Sequence, residues 1–304
     1  MFQTNLLQGK RILVTGGGTG LGRGMSEHFL AHGAEIFICG RRKGVADDAA
    51  AEMMKATGGT GGKVTAFGVD IRDAAAVDDM VENIFATGPL DGLVNNAAGN
   101  FISRTEDISP RGFDAVANIV MHGTFYVTTA VGKRWVAAAK ANPWKPGMPM
   151  KAVMSIITTW VTNGAAFVVP SAMSKSAIHT MTMSLAAEWA RHGIRLNAIG
   201  PGEIPTEGMN KRLAPGMTPG ERTAKSNPMM RPGEMSELQN LATFLMSDGC
   251  NWLTGQSIMM DGAGYLAHGG GFYSTLKDWG DQQWADARAS IEATNKKDRA
   301  QRTV

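Results

Sequence analysis

The segment Thr15-Gly16-Gly17-Gly18-Thr19-Gly20-Leu21-Gly22 joins a short β-branched run, 11–15, to a helix-compatible stretch, 21–32. Glycine tolerates the left-handed backbone that a sharp strand-to-helix turn requires. Gly16, Gly20 and Gly22 are spaced G-x-x-x-G-x-G, which is not the G-x-G-x-x-G fingerprint. The physics is shared: the backbone can approach a pyrophosphate held at a helix N-terminus. The plain alternative is a flexible turn. Position between strand and helix favours a dinucleotide cradle made of Gly16, Gly18, Thr19, Gly20, Leu21 and Gly22.

The remaining chain repeats this alternation. Apolar runs at 35–39, 63–69, 91–95, 152–157, 194–199 and 256–260 predict strands. Helical stretches at 43–57, 74–87, 111–141, 171–192 and 235–247 separate them. Strands alternating with helices this long predict βαβ units and a doubly wound parallel sheet, a Rossmann-like α/β fold. We expect one domain over 1–264, with a Met- and Pro-rich insertion at 205–232 acting as a substrate lid, and an extension at 265–304.

Composition narrows the partners. Lys plus Arg number 30 and Asp plus Glu 27, so the formal charge is +3, with no basic cluster that would mark a nucleic-acid footprint. No apolar run approaches the roughly 18 residues that span a bilayer, so no membrane partner is expected. Cys39 and Cys250 are the only cysteines. They make neither a disulfide framework nor a metal cluster, and with no readable targeting signal they predict a cytoplasmic protein.

The choice of dinucleotide rests on the end of the second strand. An NAD site places an acid there for the ribose 2′-hydroxyl. Here the strand runs into Gly40-Arg41-Arg42-Lys43, with no acid between Ile36 and Ala46. Arginine matches a phosphate with a bidentate fork. NADP(H) is therefore the expected cofactor, with Arg41 as the main contact; a solvated basic turn is the alternative. Asp70 either meets the adenine edge or caps the helix that follows.

With these residues in place, the chain resembles the short-chain dehydrogenase/reductase family. The resemblance is carried by Thr15–Gly22, Asn95-Asn96-Ala97-Ala98-Gly99 and Pro201-Gly202, and it covers roughly residues 8–264. It implies that Ile71, Asn96, Ala97, Lys175, Pro201, Gly202 and Ile204 also line the cofactor site. The family's usual centre is Tyr-x-x-x-Lys. Here Ser171-Ala172-Met173-Ser174-Lys175 keeps the lysine but has serine in the tyrosine register. A serine hydroxyl is a far weaker acid than a phenol, so it is a poor proton donor for the ordinary ketone-reductase mechanism.

Within the family, Asn100-Phe101-Ile102-Ser103, Phe167-Val168-Val169-Pro170-Ser171-Ala172 and Leu185-Ala186-Ala187-Glu188-Trp189 look like the 2,4-dienoyl-CoA reductase branch. That branch also has serine in the tyrosine register and reduces conjugated acyl-CoA thioesters with NADPH. The resemblance implies that Asn100 bonds the thioester carbonyl. The branch's second carbonyl donor is a tyrosine eleven residues before the serine, and here that position is Trp160. Tryptophan donates one N–H but carries no usable acid. The tyrosines are Tyr126, Tyr265 and Tyr273. Tyr126 is expected to pack, the other two lie past the last strand, and neither location matches the family's acid. His122 is titratable and is expected to be packed or at an interface, a catalytic role being the alternative.

Catalysis is thus expected from Lys175, Asn100, Trp160 and Ser171, with the carbon protonated by water. Arg72 and Arg212 match phosphate-facing arginines of the branch, or are ordinary surface cations. Phe101 belongs to the substrate motif. Met209, Met217, Met229 and Met230 suit an adaptable apolar pocket, or simple lid packing. The resemblance also implies a homotetramer. Two other readings stay open: a carbonyl reductase using a water relay through Thr158, Thr159 or Ser171, and an NADP(H)-binding protein without catalysis.

Overall fold

The computed structural model describes residues 3–56, 63–206, 218, 220–268, 278, 280–286 and 289. Arg212, Met209, Met217 and Tyr273 lie outside them, as do parts of the 205–232 insertion and most of 265–304.

Seven parallel strands form one sheet in the order β3-β2-β1-β4-β5-β6-β7. They are β1 (Arg11–Thr15), β2 (Glu35–Gly40), β3 (Val64–Gly68), β4 (Gly92–Asn95), β5 (Lys151–Ile156), β6 (Ile194–Pro201) and β7 (Ser257–Met260). Neighbouring strands pair in parallel throughout, Leu13 lying opposite Phe37 on one side and Leu93 on the other. The central strands are buried on both faces, as a sheet covered by helices on two sides requires. Successive side chains part accordingly. Ile12, Val14, Ile36 and Ile38 enter one apolar core, while Leu13, Phe37 and Cys39 enter the other. This is the Rossmann-like, single-domain, doubly wound fold expected from the alternation.

The helices among the described residues are α1 (Gly20–Ala31), α2 (Lys43–Ala56), α3 (Ala74–Ala86), α4 (Pro110–Ala117), α5 (Thr124–Ala141), α6 (Trp160–Asn163) and α7 (Val169–Trp189), followed by Glu221–Ser226 and Met235–Met246 after β6 and Gly264–His268 after β7. Asp73 caps α3 by accepting from Ala75 and Ala76 N–H at 3.0 and 3.1 Å. Glu234 and Glu237 form a capping box on Met235–Met246.

One helix is expected over 111–141, and the structure divides it. The stretch 111–141 is not one regular helix, because a π turn over Asn118–Gly123 separates α4 from α5. Gly123 sits against the loop after β3. A Cβ there would lie 2.7 Å from the Ile71 side chain and 3.1 Å from its carbonyl oxygen. The wider turn accompanies that close approach, at a place where the helix runs beside the site.

Candidate functional site

The site opens at the C-terminal ends of β1, β4, β5 and β6, where an open parallel sheet holds its ligands. Gly16 and Gly20 take left-handed φ angles of 64° and 55°. A Cβ on Gly17 would come within 2.4 Å of Ile38, and one on Gly22 within 2.5 Å of the Gly16 carbonyl oxygen. The turn therefore folds flat against the sheet and brings the start of α1 to the cavity. Thr19, the N-cap, makes no side-chain capping bond, and the first turn of α1 carries no acid. Its N–H groups suit an anion, so the residues present fit a dinucleotide pyrophosphate.

A second loop is bonded to this cradle. The Thr15 hydroxyl accepts from the N–H groups of Asn96 and Ala97, both at 3.0 Å. The Asn96 side-chain amide donates to the Thr15 carbonyl at 3.0 Å.

A cavity of about 1710 Å³ runs from the cradle to the end of α7. Gly16, Gly18, Thr19, Leu21, Arg41, Asp70, Ile71, Asn96, Ala97, Asn100, Trp160, Ser171, Lys175, Pro201 and Gly202 border it. Arg41 and Arg42 are exposed along its edge where β2 ends.

The reacting end is built from three segments. Lys175 on α7 is only 4% exposed and donates to the Ile156 carbonyl at the end of β5. Burial pushes its ammonium down to about 8. Asn100 uses its side-chain oxygen to accept from Phe101 N–H at 2.8 Å, which leaves its amide N–H groups as the donors. Trp160 opens the short helix α6, and its indole N–H has no partner among the described residues. Ser171 is 3% exposed in the same wall. The Thr158 hydroxyl is buried there without a partner among the described residues, the kind of group that calls for a ligand or water. Ile102 and Phe167 supply exposed apolar surface to the cavity, 48% and 59% accessible.

Several expected residues do not themselves border the cavity. Gly22 packs beneath the turn, and Gly20 begins α1 without bordering the cavity. Ile204 is 3% exposed inside the core. The Phe101 ring packs against the cluster of Val116, Val120 and Ile178. Arg72 forms an ion pair with Asp70 at 2.6 Å instead of bordering the cavity, and that pairing holds the Asp70 carboxyl below its ordinary range. Met229 and Met230 are 57% and 75% exposed and do not border the cavity, so the described part of the insertion offers no methionine pocket. His122 borders a separate apolar hollow with Met121, Phe125 and Met181, and meets Tyr126 edge-on.

Tyr265 joins the site although no motif in the sequence points to it. It follows the last strand, yet it borders the main cavity alongside Trp160 and Lys175. Thr223, Ser226 and Asn227, from the insertion, border it too. The insertion is anchored by Glu203, whose carboxylate accepts from Gly220 N–H at 2.9 Å and from the Thr223 hydroxyl.

Comparison with known proteins agrees with this geometry. Residues 16–265 match the family model described as Enoyl-(Acyl carrier protein) reductase. "Probable 2,4-dienoyl-CoA reductase 3" of Caenorhabditis elegans is 39% identical, over 98% of this chain and 94% of its own. A "Probable 2,4-dienoyl-CoA reductase" of Bacillus subtilis is 34% identical, over 86% and 98%. A crystal structure of a short-chain dehydrogenase from Bacillus anthracis is 34% identical and superposes with a TM-score of 0.73, covering 84% of this chain and 96% of that one. Among the cofactor complexes, a Burkholderia cenocepacia gluconate 5-dehydrogenase with NADP is 26% identical, with a TM-score of 0.75 over 86% and 97% of the two chains. A Brucella melitensis 3-ketoacyl-(acyl-carrier-protein) reductase with NADH is 27% identical, with a TM-score of 0.73 over 85% and 99%. The chain belongs to the short-chain dehydrogenase/reductase family of oxidoreductases and is similar to its 2,4-dienoyl-CoA reductases.

Proposed function

We propose that the chain is an NADPH-dependent reductase of a carbon–carbon double bond conjugated to an acyl-CoA thioester. The observation that carries this reading is the convergence of Asn100, Trp160 and Lys175 on one cavity, with the Asn100 oxygen already engaged by Phe101. A bound nicotinamide dinucleotide supplies the hydride. Reduction of a conjugated thioester moves negative charge onto the thioester oxygen. The Asn100 amide N–H and the Trp160 indole N–H are the donors for that oxygen, and preorganised donors of this kind lower the barrier. Lys175 orients the cofactor ribose and adds positive charge nearby. Arg41 and Arg42 favour the 2′-phosphate of NADP(H). The apolar surface of Ile102 and Phe167 suits an acyl chain.

A carbonyl reductase is the second reading, favoured by the unpartnered Thr158 hydroxyl, which can hold a relay water. NADPH oxidation measured with a dienoyl-CoA, crotonyl-CoA and simple ketones separates the two. Turnover confined to ketones overturns the thioester assignment, and absence of turnover with every substrate leaves a binding protein without catalysis.

Two further features belong to this proposal. The buried free thiols of Cys39 and Cys250 suit a reducing compartment such as the cytoplasm. No helix among the described residues is long and apolar enough to cross a membrane. The exposed Phe125 on α5 and Met173 and Met183 on α7, 51%, 56% and 43% accessible, suit contact between copies in a homotetramer.

A further inference from the structure

We propose that Tyr265 is the proton donor that this reductase lacks at both usual positions, an assignment that rests on the thioester-reductase reading above. Trp160 and Ser171 occupy the registers where a phenol is expected, and neither can serve as an effective acid. Among the described residues, Tyr265 is the one tyrosine that borders the cavity.

Its placement follows from the backbone after β7. Gly262 and Ala263 both adopt left-handed φ angles, 62° and 64°. A left-handed alanine is strained, and such residues persist where the surrounding structure holds them. Here the Asp261 carboxylate accepts from Tyr265 N–H at 2.6 Å, and the Asn227 side-chain amide donates to the Asp261 carbonyl at 2.7 Å. The reversal sends Gly264–His268 back over the site. The Asn163 side-chain amide then donates to the Tyr265 carbonyl at 3.3 Å, tying Tyr265 to the one-turn helix that begins with Trp160.

The phenol itself is uncommitted. Both bonds above use the Tyr265 backbone, and its hydroxyl has no partner among the described residues. The residue is half-buried, and its hydroxyl is absent from the sealed, unpaired side-chain atoms of the described residues, so it retains contact with water. An acid that must be recharged from solvent each turnover needs that access.

A hydride from the reduced nicotinamide dinucleotide forms a C–H bond at the far carbon of the conjugated system. The π pair moves to the thioester oxygen, held by Asn100 and Trp160. As the carbonyl re-forms, an enolate carbon takes the Tyr265 O–H proton. The resulting phenolate takes a proton from water. One hydride and one proton are added, and the dinucleotide is oxidised.

The test compares wild type, Tyr265→Phe and Tyr265→Phe with Trp160→Tyr, using NADPH and a dienoyl-CoA. Thermal melts and NADPH calorimetry accompany the kinetics, so that folding and cofactor binding are read separately from turnover. Loss of a general acid should lower kcat of Tyr265→Phe about 10²–10⁴-fold. KM for the thioester and the NADPH dissociation constant should hold. The double variant, with a phenol restored in the other register, should recover much of kcat. Wild-type kcat in Tyr265→Phe, a loss confined to KM, or no recovery in the double variant overturns the assignment while the reductase reading stands. A wild type that binds NADPH but turns over no thioester overturns both.

Discussion

The Lys175 ammonium donates to the Ile156 carbonyl from a position almost sealed from water. Its descent from 10.5 to about 8 corresponds to roughly 3 kcal/mol disfavouring the charged form. Below pH 8 both folded and unfolded chains are protonated there, and the cost is fully present. Between pH 8 and 10.5 the unfolded chain binds more protons, so this group's contribution to stability rises with pH. Lys175→Met should therefore raise the melting temperature of the cofactor-free protein at pH 7 while abolishing turnover. Calorimetric scans should show that gain shrinking towards pH 10. An equal gain at both pH values would show that the charge is not its source.

Arg41 stands at the cavity edge beyond β2, where a ribose 2′-phosphate is expected. Arg41→Asp should weaken NADPH about ten- to a hundredfold, the worth of a hydrogen bond to a charged group, and NADH less. Titration calorimetry reads both. Equal affinity of the wild type for the two cofactors would remove the case for NADP(H).

Trp160→Phe removes one donor without removing an acid. Turnover on a dienoyl-CoA should fall about 10²–10³-fold, as at other oxyanion sites. Unchanged turnover would place the thioester oxygen away from Trp160.

Gly22→Ala should disrupt the cradle. Its new Cβ would meet the Gly16 oxygen at 2.5 Å and the Asn96 amide at 2.3 Å. Overpacking of this kind costs about 1–3 kcal/mol. Denaturant midpoints and NADPH affinity should fall together; a variant with native values of both would mean that the turn relaxes freely.

The exposed Phe125 and Met173 give the test of assembly. Light scattering at micromolar concentration should report a tetramer for the wild type and smaller species for Phe125→Glu with Met173→Glu. A monomeric wild type would refute the tetramer.

Strands were legible in the sequence because parallel strands buried on both faces read as short apolar runs. Thus Arg11–Thr15 is found as expected, and Val64–Gly68 falls one residue inside each predicted end. The π turn over Asn118–Gly123 was not legible, since the approach of Gly123 to Ile71 depends on packing between distant segments. At the site, motif spacing located Asn100, Trp160, Ser171 and Lys175. It could not locate Tyr265, which reaches the cavity through a reversal at Gly262 and Ala263. An alanine gives no advance notice of a left-handed φ. For Arg72 the sequence shows a cation, and only the structure shows that Asp70 pairs with it.

Thr15 ends the first strand, yet its hydroxyl and carbonyl hold Asn96 and Ala97, four and three residues ahead of Asn100. The loop that receives the dinucleotide and the loop that would receive the thioester thus share an anchor. If occupying one loop steadies the other, linkage makes the benefit mutual: the factor by which cofactor tightens thioester is the factor by which thioester tightens cofactor. Thr15→Val keeps the strand's shape and cuts the hydroxyl stitches, so its signature would be lost cooperativity between the two ligands.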